Sequence, residues 1–121
     1  MSSIKEEVQL LYRRADQGET LAGLIDQICR VFREHPQELK GFTNSYRLCA
    51  TDTGYVKAFS LVDGQYFDKT EMDEADVILS GRESDLLAIL RRRISPLSAL
   101  LRGKVQLRGS KTALLRFTEF L

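Results

Sequence analysis

Near residue 44 the spacing of apolar residues switches from a helical period to a strand period, and that switch divides the chain. Before it, Leu21, Leu24, Ile25, Ile28 and Phe32 recur at i, i+3, i+4, i+7 and i+11, one stripe of an α-helix. After it, Tyr46, Leu48 and Ala50 alternate with Arg47, Cys49 and Thr51. Side chains repeat every 3.6 residues on a helix and every 2 on a strand, so neither pattern settles as the other. A chain carrying both must lay helices against one face of a sheet.

The helices preceding the switch have legible ends. Ser3 and Glu6 have capping-box spacing, and Ile4, Val8 and Leu11 follow, which predicts a helix over 3–15. Asp16-Gln17-Gly18 breaks it. Thr20 is a candidate N-cap for the next helix, which ends near His35 because Pro36 disfavours helical dihedrals in the residue before it. His35, the one histidine, therefore sits at a helix end, where capping or solvation is expected rather than catalysis.

Strands follow. Tyr55, Phe59 and Leu61 share one face of the second strand, and Asp63-Gly64 suits a tight type I′ hairpin because both central residues need positive φ. Residues 65–70 make the returning strand, an acidic turn spans 71–74, and residues 75–80 make a fourth strand with Val77 and Leu79 on one side. Short turns between all four predict an antiparallel meander. Ser80 and Glu83 have capping-box spacing for a helix over 83–93, with a start two residues after Ser80 as the alternative, and its apolar side holds Leu86, Leu87, Ile89 and Leu90. Arg91, Arg92 and Arg93 close it, where cations suit the helix dipole. Ser95 and Pro96 open another helix with Leu97, Leu100 and Leu101, ended by Gly103. Residues 104–108 form a fifth strand, and Ser110 caps a last helix carrying Ala113, Leu114, Phe117 and Leu121.

The expected fold class is α+β: a five-stranded, mainly antiparallel sheet covered on one face by helices. Its 121 residues make one domain, with 1–18 as an N-terminal helical extension and 20–121 as the core. With 43% apolar residues the chain can bury a core without a staple. Net charge is +1, but residues 1–81 carry −5 and residues 82–121 carry +6. A basic C-terminal third suits a phosphate-rich partner, an anionic surface, or plain solvation. The arginines lack interleaved exposed aromatics, so nucleic acid is not expected.

Catalytic chemistry is not visible. Nucleophile elbow, P-loop, zinc-protease and dinucleotide glycine patterns are absent from the sequence. Glu71, Asp73, Glu74 and Asp76 lack the glycine and ligand spacing of a calcium loop. Cys29 and Cys49, 20 positions apart without companion ligands, read as two buried free thiols in a reducing, cytoplasmic setting. No secretory signal, membrane-length apolar run, lipidation signal or peroxisomal address is seen. What stands out is the density of leucines over 86–101. They can fill an ordinary core or line a hollow, and periodicity does not separate the two.

Two segments together form a known pattern: Ala75-Asp76-Val77-Ile78-Leu79 before a helix, then a Ser95-Pro96 helix followed by Gly103-Lys104-Val105-Gln106-Leu107-Arg108-Gly109. This order resembles the sterol carrier protein type-2 family, in the manner of a bacterial stand-alone member. The chain departs from it at Arg93, where a glycine is usual, and at Ser110, where Asn or Asp is frequent. The resemblance implies non-catalytic binding, with transfer or presentation, of a lipid in an apolar tunnel between sheet and helices. The lipid would be a sterol, a fatty acid or acyl-CoA, a phospholipid or an isoprenoid quinone precursor. The alternative is a protein-interaction or dimerisation module, or an accessory factor of a lipid or ubiquinone pathway. From the sheet, the apolar faces project Phe59, Leu61, Val77 and Leu79 into the tunnel wall. From the helices they project Leu86, Leu90, Leu97, Leu100 and Leu101, and from the C-terminus Phe117 and Leu121. Arg91, Arg92, Arg93 and Arg102 are candidates for head-group or membrane contact. No metal or cofactor is expected. The partners expected are the lipid and a membrane surface or lipid-pathway enzyme, with the protein a monomer or homodimer.

Overall fold

The computed structural model describes residues 3–15, 20–70 and 74–118. Helices α1 (Ile4–Ala15) and α2 (Leu21–Glu34) precede strands β1 (Asn44–Ala50), β2 (Val56–Val62), β3 (Gln65–Lys69) and β4 (Val77–Gly81). Helices α3 (Glu83–Leu90) and α4 (Pro96–Leu101), strand β5 (Val105–Gly109) and helix α5 (Lys111–Thr118) complete it.

The sheet order is β3-β2-β1-β4-β5. This corrects the expected four-stranded antiparallel meander. Strands β1 to β3 do form a meander, but β4 pairs parallel with β1, Leu48 opposite Leu79, and β5 pairs antiparallel with β4. Burial explains the rearrangement. Strand β4 buries Val77, Leu79 and Gly81, whereas most of β3 is exposed. An apolar strand gains more between two partners than beside a polar edge, and the edge position suits Gln65, Asp68 and Lys69. The hairpin between β2 and β3 takes positive φ at Asp63 (48°) and Gly64 (88°), as the dipeptide requires.

Local chemistry fixes the helix ends. The Ser3 hydroxyl accepts from the Glu6 amide at 3.2 Å while the Ser3 amide donates to the Glu6 carboxylate at 3.4 Å, a reciprocal capping box. The Thr20 hydroxyl accepts from the Gly23 amide at 3.1 Å. Its replacement by alanine orphans that donor, and denaturant unfolding should show Thr20→Ala losing about 1 kcal/mol. A second cap comes from far along the chain: Glu83 accepts from the Leu21 amide at 2.9 Å, joining the starts of α2 and α3. His35 caps the end of α2. Its Nδ1 donates to the Val31 carbonyl at 2.8 Å, and its Nε2 lies 2.7 Å from Glu7, which ties α1 to α2.

Helix α3 starts at Glu83 as expected but differs in its cap and at its far end. Ser80 does not cap it; the cap position is Arg82, and Asp52 from the β1–β2 turn accepts from the Glu83 amide at 3.0 Å. The helix stops at Leu90, so Arg91–Arg93 lie in its closing turn. There the Arg92 amide donates to Ile89 and the Arg93 amide to Ala88, with Arg92 left-handed at φ 59°. This is a Schellman closure with arginine where glycine is usual. Helix α4 closes in the same way through Gly103 at φ 70°.

One face of the sheet packs under the helices. Tyr46, Phe59, Leu61, Val77 and Leu79 point into a core shared with Leu24, Ile28 and Phe32 of α2, Leu86 of α3 and Leu114 of α5. Helix α1 adds Ile4, Val8 and Leu11. Cys29 is buried and Cys49 half-buried; both are free thiols.

Candidate functional site

An apolar cavity of about 80 Å³ lies between α2, α3, α5 and the sheet. Its floor is the middle of β1 and β2. Phe59 stacks at 5.3 Å on Tyr46 of the neighbouring strand and at 5.3 Å on Tyr66 of β3, and its centroid is 6.3 Å from that of Phe32. Leu48, Val77 and Leu79 extend the floor. The roof is Ile25, Ile28 and Phe32 of α2, with Ile89 and Leu90 of α3 and Leu114 of α5. Every atom facing the space is apolar, although Arg47 and Lys57 are among the lining residues. Both achieve this by laying their methylene stems along the wall while the charged ends point away from it.

Of the residues singled out from the sequence, Phe59, Val77, Leu79 and Leu90 line this cavity. Leu61 and Leu86 are buried elsewhere in the core, and Leu100 packs against it half-buried. Leu97 and Leu101 on α4 are 39% and 80% exposed. Leu121 and the side chain of Phe117 lie outside the described residues. Arg92, Arg93 and Arg102 are exposed and Arg91 half-buried, and none of the four lines the cavity. The α2 residues were legible as a helical stripe, but nothing in the period distinguishes a residue facing a hollow from one facing solid core. Tyr46 and Leu48 carried the same signal through their alternation.

Lys57 leads to a polar cluster at the side of the cavity. Its Nζ donates to Asp68 at 3.1 Å, and the Tyr66 hydroxyl donates to the same oxygen at 2.7 Å. Arg33 donates to the other Asp68 oxygen at 3.2 Å, with its guanidinium 4.8 Å over the Tyr66 ring. The Tyr66 hydroxyl and Lys57 hold the Asp68 carboxyl below the usual carboxylate range, whereas burial pushes the Tyr66 phenol and the Cys29 thiol up. Tyr66 is therefore a neutral donor and Cys29 a neutral thiol near pH 7, and Asp68 is an anion.

Among the described residues, no group of three or more His, Cys, Asp or Glu is placed to hold a metal. Glu71 and Asp73 of the acidic turn lie outside the described residues. Asp76 joins two strands instead. Its carboxylate accepts from the Ser45 amide at 2.9 Å and its amide donates to the Ser45 hydroxyl at 2.8 Å. No described helix is long and apolar enough to cross a membrane.

A sheet with helices on one face and a wholly apolar cavity between them makes that cavity the candidate site for an apolar group. The comparisons agree in kind. The model of the SCP-2 sterol transfer family matches residues 25–121, and the chain belongs to that family. A search of curated proteins gives no match. Among solved structures, the chain resembles sterol carrier protein 2 of Aedes aegypti in complex with palmitate, at 15% identity and TM-score 0.53. The match covers 99% of this chain and 96% of that one. It also resembles a protein of Thermus thermophilus described as possibly a sterol carrier protein (23% identity, TM-score 0.53, 76% and 74% covered). The stereoselective inverting sec-alkylsulfatase Pisa1 from Pseudomonas sp. aligns with a TM-score of 0.69 at 19% identity. That match covers 81% of this chain and only 16% of the sulfatase. At these identities the likeness is one of fold. Helix α1 precedes the segment matched by the family model.

Proposed function

We propose that the protein binds a long apolar chain, of a fatty acyl lipid or a comparable isoprenoid, between α2, α3 and the sheet, without catalysis. The observation that carries this is the wholly apolar cavity in a member of a sterol transfer family. Removing an acyl chain from water releases about 0.8 kcal/mol per buried methylene, so an unpolarised wall is sufficient to drive binding. The cavity measures about 80 Å³. Sites that enclose a drug-sized ligand measure ~300–1,000 Å³. A long chain therefore enters by displacing a helix. Helices α3 and α4 are the natural moving part: they have eight and six residues, and α4 leaves Leu97 and Leu101 outside the core.

A fluorescent acyl-chain probe, displaced by palmitate, cholesterol or a polyprenol, tests the reading directly. Saturable binding is expected. Leu48→Trp, which fills the floor, should weaken it about tenfold or more, because several methylenes then lose their burial. Absence of saturable binding, together with organic extracts of the purified protein that contain no lipid, would sink the proposal.

A second reading is a module that presents lipid to, or docks on, a partner enzyme. Its support is the likeness to 16% of an alkylsulfatase, where the same fold is part of a larger chain. Co-purification with a lipid-pathway enzyme supports this reading; a persistent monomer without partners opposes it.

A further inference from the structure

The cluster around Asp68 has the composition of an acid-binding site. Three donors from three elements converge on one carboxylate: Arg33 from α2, Lys57 from β2 and Tyr66 from β3. Two of them are cations, and charge-assisted bonds of this kind are about twice as strong as neutral ones. The cluster also adjoins the cavity, because Lys57 lines the cavity wall and bonds to Asp68. The carboxylate they hold is the most replaceable member. Asp68 stands on the edge strand with its side chain 57% exposed, so turning it out to water costs little desolvation.

We propose that Arg33, Lys57 and Tyr66 form a carboxylate-reading mouth to the cavity, which Asp68 occupies as an internal stand-in and so sets the choice between acidic and neutral chains. The proposal rests on the reading that the cavity takes a long chain. An acid-terminated ligand whose chain lies along Phe59 would bring its carboxylate toward Lys57. It would replace Asp68 one for one, with the same donors and the same charge, so the native protein gains little from the ligand's acid group. Chain burial then dominates, and a neutral chain binds nearly as well. Removing the charge of Asp68 breaks that balance: the donors keep two positive charges and only an amide to face them.

The test compares palmitate with hexadecanol, which share a chain and differ at one end. Asp68→Asn should raise the preference for palmitate over hexadecanol about tenfold, the scale of one charge-assisted bond. Lys57→Met keeps most of the stem and removes the charge, and it should lower that preference below the native value. Arg33→Gln, on a side chain 55% exposed, takes its place if Lys57→Met does not fold. If both ligands bind and these variants leave the preference within about twofold of native, the mouth is refuted and the chain-binding reading stands. If neither ligand binds the native protein, both fall together.

Discussion

Gly109→Ala should lower the melting temperature by roughly 10–20 °C, the shift that about 3–4 kcal/mol produces in a domain of this size. Gly109 ends β5 opposite Val77, with φ at 98°, where only glycine is comfortable. A Cβ there would lie 1.9 Å from the Asp76 carbonyl oxygen and 2.9 Å from its carbon. That carbonyl has no room to retreat. It accepts from the Ser110 amide at 3.2 Å, and the Asp76 side chain is bonded to Ser45 at the start of β1. The substitution therefore combines backbone strain of about 1–3 kcal/mol with overpacking of about the same size. Gly103→Ala is the control. Its φ is 70° but a Cβ there meets nothing within 4 Å, so only the strain remains. Thermal melts of the two variants should separate clearly, and equal shifts would refute the close-approach explanation. The motif residues Asp76 and Gly109 thus hold β1, β4 and β5 together rather than touching the cavity.

Leu86→Ala should cost about 3 kcal/mol, whereas Leu101→Ala should stay within about 0.5 kcal/mol of the native protein. Leu86 is 1% exposed on the buried side of α3, and truncation there leaves a cavity that close-packed neighbours fill only in part. Leu101 is 80% exposed at the end of α4, so its truncation removes little buried surface. Urea unfolding with an unchanged slope is the measurement. A costly Leu101→Ala would mean that Leu101 itself is covered in solution. The same pair bears on ligand binding: if α4 moves with α3 when a chain enters, Leu101→Ala should change probe affinity more than it changes stability.

These two leucines show where sequence reading stops. Both fall on helical stripes of the same apolar character, and no local pattern separates them. Helix propensity and period report which side of a helix is apolar; whether a partner covers that side depends on contacts distant in sequence. Helix α4 has six residues, too few to turn its whole stripe under cover. For the arginines the limit is different. Their run predicts a helix end, which is where they are, but the cations that border the cavity are Arg47 and Lys57, single residues on alternating strands. The partner of Lys57, Asp68, lies 11 positions later on β3, and Arg33, which shares that carboxylate, lies 24 positions earlier on α2; no spacing rule joins them.

The sequence by itself determined the elements and most of their ends. Capping boxes, the Asp63-Gly64 turn and the change from helical to strand period are local devices, and each acts within a few residues. It also determined the α+β class and the family pattern, because those depend on element order. Only the tertiary structure decided that β4 sits beside β1, that the leucines divide between core and surface, and that a cavity forms under α2. Strand order is set by which edge loses most apolar surface, a comparison across the whole sheet. The cavity is a difference between the volume that the elements enclose and the volume that their side chains fill, and neither quantity exists until the elements have packed.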